Sequence, residues 1–178
     1  MSGRVTGGLL MLIGWVAEPA HAYCWGQAGR QHAIEPELLQ AIAEVESGQL
    51  PNALNYNKDG SRDIGLMQIN SFHLPRLRAQ GITEQRLLAE PCLSVEVGAA
   101  VLAGFVARYG YNWTAVGAYN AGNAPDRQAA RLRYAQKVWK RYRMLTPKVL
   151  GQPRTPNATA DSDHRRAKPA EFDQEHPG

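Results

Sequence analysis

Several things are scarce in this chain of 178 residues, and each scarcity removes a class of function. There are two cysteines, Cys24 and Cys92, far apart and without histidines at ligand spacing, which makes a poor zinc site. The five histidines, His21, His32, His73, His164 and His176, show no ligand spacing either, so no metal is implied. No phosphate-cradling glycine loop and no nucleophile motif occurs, so neither a nucleotide nor any other cofactor is called for. Lys and Arg are scattered, with no basic run longer than two. A net charge of +4 spread in this way is not a nucleic-acid footprint. No internal repeat is present. The apolar run near the N-terminus is too short for a stable membrane span.

What is present suits one domain with excess at both ends: 44% hydrophobic residues for a core and an ordinary 20% charged. Residues 1–22 read as an export signal, with Arg4 in the positive region, Leu9–Ile13 in the apolar core and Ala20-His21-Ala22 at the cleavage pattern. A mature chain starting at Tyr23 is expected in the periplasm, with no stable membrane span after cleavage. Tyr23 is bulkier than lipoprotein processing favours, so no lipid anchor is expected. In an oxidising compartment the default for Cys24 and Cys92 is a disulfide. It closes a loop of roughly 69 residues and contributes about 4 kcal/mol in the chain-entropy view. Residues 149–178 carry prolines and charge with almost no large apolar side chains, so a disordered tail is expected. The domain therefore spans 23–148.

Within it, Ile34–Gly48 reads as a helix that ends in an acid. Pro36 suits the first helical position and Gly48 the left-handed closing residue. Leu38, Ile42 and Val45 share an apolar face, with Glu46 at its edge. Apolar neighbours and the negative helix end both raise the pKa expected for Glu46. The spacing predicts further helices over 25–33, 83–89 (capped by Thr83 and stopped by Pro91), 93–109, 113–119 and 126–145. The last carries an apolar stripe of Leu132, Ala135, Val138, Trp139 and Tyr142. Between the acid helix and Ile64, polar residues around Asp59-Gly60 predict a short loop or hairpin. The fold class is mostly α with one short β-like hairpin.

Glu46-Ser47, Gly65-Leu66-Met67-Gln68-Ile69-Asn70 and Ala118-Tyr119-Asn120-Ala121-Gly122 stand in this order along the chain. Together they resemble the soluble lytic transglycosylases, of lysozyme-like fold, and especially the small exported members that accompany secretion, conjugation and pilus systems. The resemblance implies that Glu46 is the catalytic acid/base and that Ser47 hydrogen-bonds near it. It implies that Met67 and Gln68 line the glycan groove, that Tyr119 and Asn120 face the glutamate, and that Tyr134 is the tyrosine of the last motif. The implied substrate is the β-1,4 bond of peptidoglycan glycan strands, the implied product a 1,6-anhydro sugar, and secretion or conjugation apparatus proteins the implied partners.

The stretch from Asn57 to Asn70 also resembles animal lysozymes, and Asp63 falls where those enzymes keep a second carboxylate. A hydrolytic muramidase using Asp63 is therefore the alternative. The plainer reading of Asp63 is a turn residue that binds backbone N–H groups. An idle glycan-binding module would have little need of a buried acid.

Overall fold

The computed structural model describes residues 20–146. Residues 1–19 of the expected signal and the expected tail lie outside the described residues, whereas the expected cleavage segment Ala20-His21-Ala22 falls in the first helix; the described residues hold seven α-helices and a small three-stranded sheet.

Helix α1 (Ala20–His32) leads into α2 (Pro36–Ser47), with Pro36 in the first turn as its missing N–H allows. Gly48 closes α2 at φ 61°, donating to Glu44 O at 3.1 Å, while Gln49 donates to Ala43 O at 3.3 Å. These bonds satisfy carbonyls that the helix end would otherwise leave orphaned. The expected stripe of Leu38, Ile42 and Val45 describes α2 only in part. Leu38, Leu39, Ala41, Ile42 and Ala43 are all fully buried, whereas Val45 is only half-buried. The helix is enclosed by α1, by α5 (Pro91–Tyr109) and by α7 (Gln128–Leu145), so one apolar face was too narrow an expectation.

The chain then makes β1 (Leu54–Tyr56), β2 (Arg62–Ile64) and β3 (Ile69–Asn70), an antiparallel sheet in that order. Asp59-Gly60 lies in the first turn, as its composition predicts, with Gly60 at φ 82°. The third strand was not anticipated. Its tight connection depends on Gly65 at φ 72°, where a Cβ would stand 2.5 Å from Leu87 O. Asp63 is paired with Asn55 on one side and Asn70 on the other, so it is a strand residue and not a turn residue.

A short 3-10 turn (Ser71–His73) and α3 (Leu74–Arg78) follow, neither expected, and then α4 (Glu84–Ala89). Thr83 caps α4 by accepting from Arg86 N. Pro91 does not merely stop α4: it occupies the first turn of α5. By length and composition α5 is apolar enough to cross a membrane, yet here it packs against α1, α4 and α6 (Trp113–Ala121) as a core helix. Asn112 caps α6 by accepting from Thr114 N and Ala115 N. The last helix begins after a 3-10 turn at Pro125–Arg127, slightly later than its spacing suggested.

The predicted stripe of α7 needs one correction. Leu132 is half exposed, and Tyr134 turns inward together with Ala135, Val138 and Tyr142. The backbones of α6 and α7 meet at Gly117, where a Cβ would lie 2.5 Å from Arg131 O. That approach sets the rotation of α7 and carries Tyr134 towards α2. Cys24 of α1 and Cys92 of α5 form a disulfide with their Cα atoms 5.3 Å apart. His32 and Glu96 make a second tie between the same two helices at 2.6 Å.

Candidate active site

Glu46 sits in the last turn of α2, at the junction of the helical body and the sheet, and lines an open cleft of about 630 Å³. The cleft is walled by Asp63 and Gln68 on the sheet side and by Tyr119 and Asn120 on α6, with Asn57, Asn70 and Arg127 at its margins. Tyr134 Oη donates to Glu46 Oε1 at 2.6 Å.

Burial pushes the Glu46 carboxyl up to about 7. The Tyr134 hydrogen bond works against that rise, the Asp63 carboxylate adds to it, and the Asn120 amide and Lys137 ammonium oppose it. Apolar surroundings were the expected cause; the field of a second carboxylate was not legible from the helix alone. The outcome is an acid close to half-protonated at neutral pH, able to give a proton and then take one back.

The other expected residues fall into distinct positions. Ser47 does not bond Glu46: its Oγ donates to Leu66 O at 2.7 Å and to Ala43 O at 3.2 Å, which pins the end of α2 to the turn between β2 and β3. Met67 is not a groove-lining side chain. It is fully buried and packs on α5 at Gly98, where a Cβ would lie 2.8 Å from its Cε. What it offers the cleft is its backbone carbonyl, which accepts from Tyr119 Oη at 2.8 Å. That hydroxyl is therefore committed to the sheet turn, and burial, with Glu46 and Asp63 nearby, holds its pKa well above the ordinary tyrosine range.

Gln68 adopts φ 50° and anchors the same turn, its Nε2 donating to Gly65 O at 2.8 Å and its Oε1 accepting from Asn55 Nδ2. Asp63 accepts from Asn57 Nδ2 at 3.0 Å and from Asn70 Nδ2 at 2.8 Å. Each carboxylate oxygen is thus held by a side-chain amide, where backbone N–H partners had been expected. Asn57 and Asn70 went unrecognised as site residues, although both bound the lysozyme-like stretch; strand pairing sets Asn70 opposite Asp63, and the turn after β1 brings the Asn57 side chain to it.

Tyr134→Phe isolates one contribution to this balance. Without the hydroxyl the ionised carboxyl loses a charge-assisted hydrogen bond, so the alkaline limb of the pH–rate profile should move up by about one pH unit. Turnover at neutral pH should fall roughly tenfold as the carboxyl loses its orientation. A pH–rate series on glycan strands, with a melt to show that the variant folds, checks both; an unmoved limb refutes the role given to Tyr134.

A carboxyl raised towards neutrality that lines a polar cleft, between a helical body and a small sheet, is the arrangement of a lysozyme-like fold. Residues 23–142 match the transglycosylase SLT domain family, and the chain belongs to it as a peptidoglycan lytic transglycosylase. It is 56% identical over 126 residues to invasion protein IagB of Salmonella typhimurium, covering 71% of this chain and 79% of that one. Protein IpgF of Shigella flexneri is 46% identical over 134 residues, covering 75% of this chain and 88% of that one. Among solved structures, an inactive glutamate-to-glutamine mutant of the lytic transglycosylase Slt from Pseudomonas aeruginosa superposes with a TM-score of 0.57 at 21% identity. That match covers 71% of this chain and 24% of the much longer Slt chain, and it shows the shared fold.

Proposed function

We propose that the enzyme cleaves the β-1,4 bond between N-acetylmuramic acid and N-acetylglucosamine in the periplasm and leaves 1,6-anhydromuramic acid. Glu46 first protonates the leaving glycosidic oxygen. The resulting carboxylate then removes the proton of the muramoyl C6 hydroxyl as that oxygen bonds to C1, so no water is consumed. The substrate's own N-acetyl group carries the charge developing at C1, and Asn120, which lines the cleft with Glu46, helps hold the polar environment around it. The observation that carries this reading is the contrast between the two carboxyls of the cleft. Glu46 is raised to about 7, whereas Asp63 has each oxygen engaged by an amide. A carboxylate so occupied is poorly placed to attack C1 or to activate water, but its charge adds to the rise that burial produces at Glu46.

The muramidase reading assigns Asp63 the chemical role instead, and one experiment separates the two. Digestion in ¹⁸O-labelled water, read by mass spectrometry, should give anhydro ends free of label, and Asp63→Asn should reduce the rate about tenfold or less. Labelled reducing ends together with an inert Asp63→Asn variant would establish the hydrolase.

The Salmonella relative's designation as an invasion protein supports a biological role in opening the wall locally for a secretion, conjugation or pilus apparatus. Deletion of the gene should then impair assembly of that apparatus, and Glu46→Gln should fail to restore it.

A further inference from the structure

Helix α7 is bonded to α2 at both ends of α2, each time by a tyrosine hydroxyl on a glutamate. At the end of α2 the bond is that of Tyr134 to Glu46. At its start Tyr142 Oη donates to Glu35 Oε2. The helices run antiparallel, with Tyr142 about two turns, roughly 12 Å, beyond Tyr134 along α7.

Glu35 stands apart from the other acids. At 5% exposure it is the one acidic or basic side chain that is almost wholly buried among the described residues. Pro36 favours an extended residue before it, and Glu35 has φ −62° and ψ 131°. Its carbonyl begins α2 by accepting from Leu38 N at 3.0 Å and Leu39 N at 3.2 Å, while its own N–H donates to Tyr111 Oη at 3.1 Å. A side chain at this position ordinarily caps its own helix; that of Glu35 makes no such bond and is given to α7 instead. Tyr142 is buried as well, its ring centroid 5.8 Å from that of Trp113 and 6.0 Å from that of Trp139. Burial and the Glu35 bond, then the charge of Glu35 with Tyr111 and Glu37 nearby, push the Tyr142 hydroxyl above the ordinary tyrosine range, so it remains a donor.

Desolvating a carboxylate is costly, and apolar side chains could fill the same space without that cost. What the polar pair adds is register: apolar surfaces can pack at several offsets, whereas one donor meets one acceptor at one. The ion pair of Arg141 with Glu44, 3.2 Å long, also links these helices, but Arg141 is half exposed and the pair is screened by solvent.

We infer that the Glu35–Tyr142 bond fixes the offset of α7 along α2 and thereby presents Tyr134 to Glu46, so that Glu35 and Tyr142 are positioning residues for the reaction. This rests on the acid/base role proposed for Glu46. Neither residue lines the cleft. Glu35 precedes Glu46 by roughly 16 Å of helix, beyond the screening length of about 8 Å at physiological salt. The groups that bear on the Glu46 charge are Tyr134 and Lys137 from α7, Asp63 from β2 and Asn120 from α6, with Tyr134 outweighing Lys137. An effect of the distant pair on Glu46 therefore travels through the placement of α7.

Tyr142→Phe removes the bond and keeps the ring. The alkaline limb of the pH–rate profile should rise by about half a pH unit, the direction expected for Tyr134→Phe, with kcat roughly threefold lower and KM unchanged. In a Tyr134→Phe background the same substitution should add almost nothing to the shift, because the hydroxyl it positions is gone. Glu35→Gln, whose amide oxygen still accepts from Tyr142, should keep the limb near its wild-type position, as should Arg141→Gln. If the unpartnered carboxylate prevents Tyr142→Phe from folding, Glu35→Met combined with Tyr142→Phe buries no charge and gives the same reading. NMR titration of the Glu46 carboxyl follows these shifts without turnover, so they stay measurable even if an active Glu46→Gln variant refutes the acid role. A lower melting temperature with an unmoved Glu46 titration overturns the proposal, because a merely structural bond gives that result. Additive shifts in the Tyr134→Phe background overturn it too, as does a shift in Glu35→Gln or Arg141→Gln equal to that of Tyr142→Phe.

Discussion

Glu46→Gln should lower glycan cleavage by about three orders of magnitude or more, in a protein that folds and binds strands as before. An amide of the same shape can still accept from Tyr134 but cannot deliver a proton to the leaving oxygen, and general acid catalysis alone is worth roughly 10²–10⁴-fold. The same variant carries a stability signature that a residue of merely structural importance would lack. The folded carboxyl titrates near 7 against 4.5 for the free group, because burial disfavours its charge. A carboxyl raised in this way favours the fold below its unfolded pKa, and that contribution is lost as pH rises from 4.5 to about 7. Glu46→Gln removes the titration. Its stability should equal the wild type's near pH 4 and exceed it increasingly up to pH 7, by a margin on the order of 2 kcal/mol that stays constant at higher pH. Thermal melts from pH 4 to 8 alongside turnover assays check both parts. A variant that keeps its activity, or one whose advantage shrinks with rising pH, contradicts the assignment. In the wild type the rate should decline above pH 7 as the acid form empties.

Loss of the disulfide should produce the largest change in stability. Cys24 and Cys92 are 68 residues apart in sequence, and their bond fastens α1, at the start of the described chain, to the first turn of α5. Replacing both by Ala should destabilise the protein by about 4 kcal/mol, mainly by freeing the unfolded chain. For a domain of this size that corresponds to a drop of about 15 °C in melting temperature. Neither cysteine lines the cleft, so turnover per folded molecule should be nearly unchanged at low temperature. Differential scanning calorimetry of the double variant, and of wild type with and without reductant, measures the effect. Equal melting temperatures for double variant and wild type would show that α1 is held without the bond, by the burial of Trp25 and Ala28 and by the His32–Glu96 contact.

Helix ends were the most legible feature of the sequence because their chemistry is local. Pro36 and Gly48 bound α2, and Thr83 caps α4, through groups within a turn of themselves, so neighbours in sequence suffice to place them. Glu46 was not singled out by its helix alone, where an ordinary helix-end glutamate is the plainer reading; the later Gly65–Asn70 and Ala118–Gly122 motifs, with the resemblance they carry, pointed to it. The role of each remaining side chain was a matter of which way it turned. Met67 and Gln68 are adjacent, yet the first packs on Gly98 in the core while the second, at φ 50°, reaches the cleft. On α7 the apolar spacing put Leu132 in the stripe and left out Tyr134, which only the resemblance named; the close approach of Gly117 to Arg131 leaves Leu132 half exposed and the tyrosine pointing inward. It bonds a glutamate 88 residues earlier. Asp63 owes its two amide partners to strand register, with Asn70 directly opposite it on β3 and Asn57 next after β1. Composition and spacing determined most of the helices, though not α3, and the three ordered motifs with the resemblance they carry pointed to Glu46. That the Glu46 carboxyl would be raised towards neutrality was decided only when packing buried it and brought Asp63 and Tyr134 beside it, because solvation and the neighbouring field belong to the assembled chain.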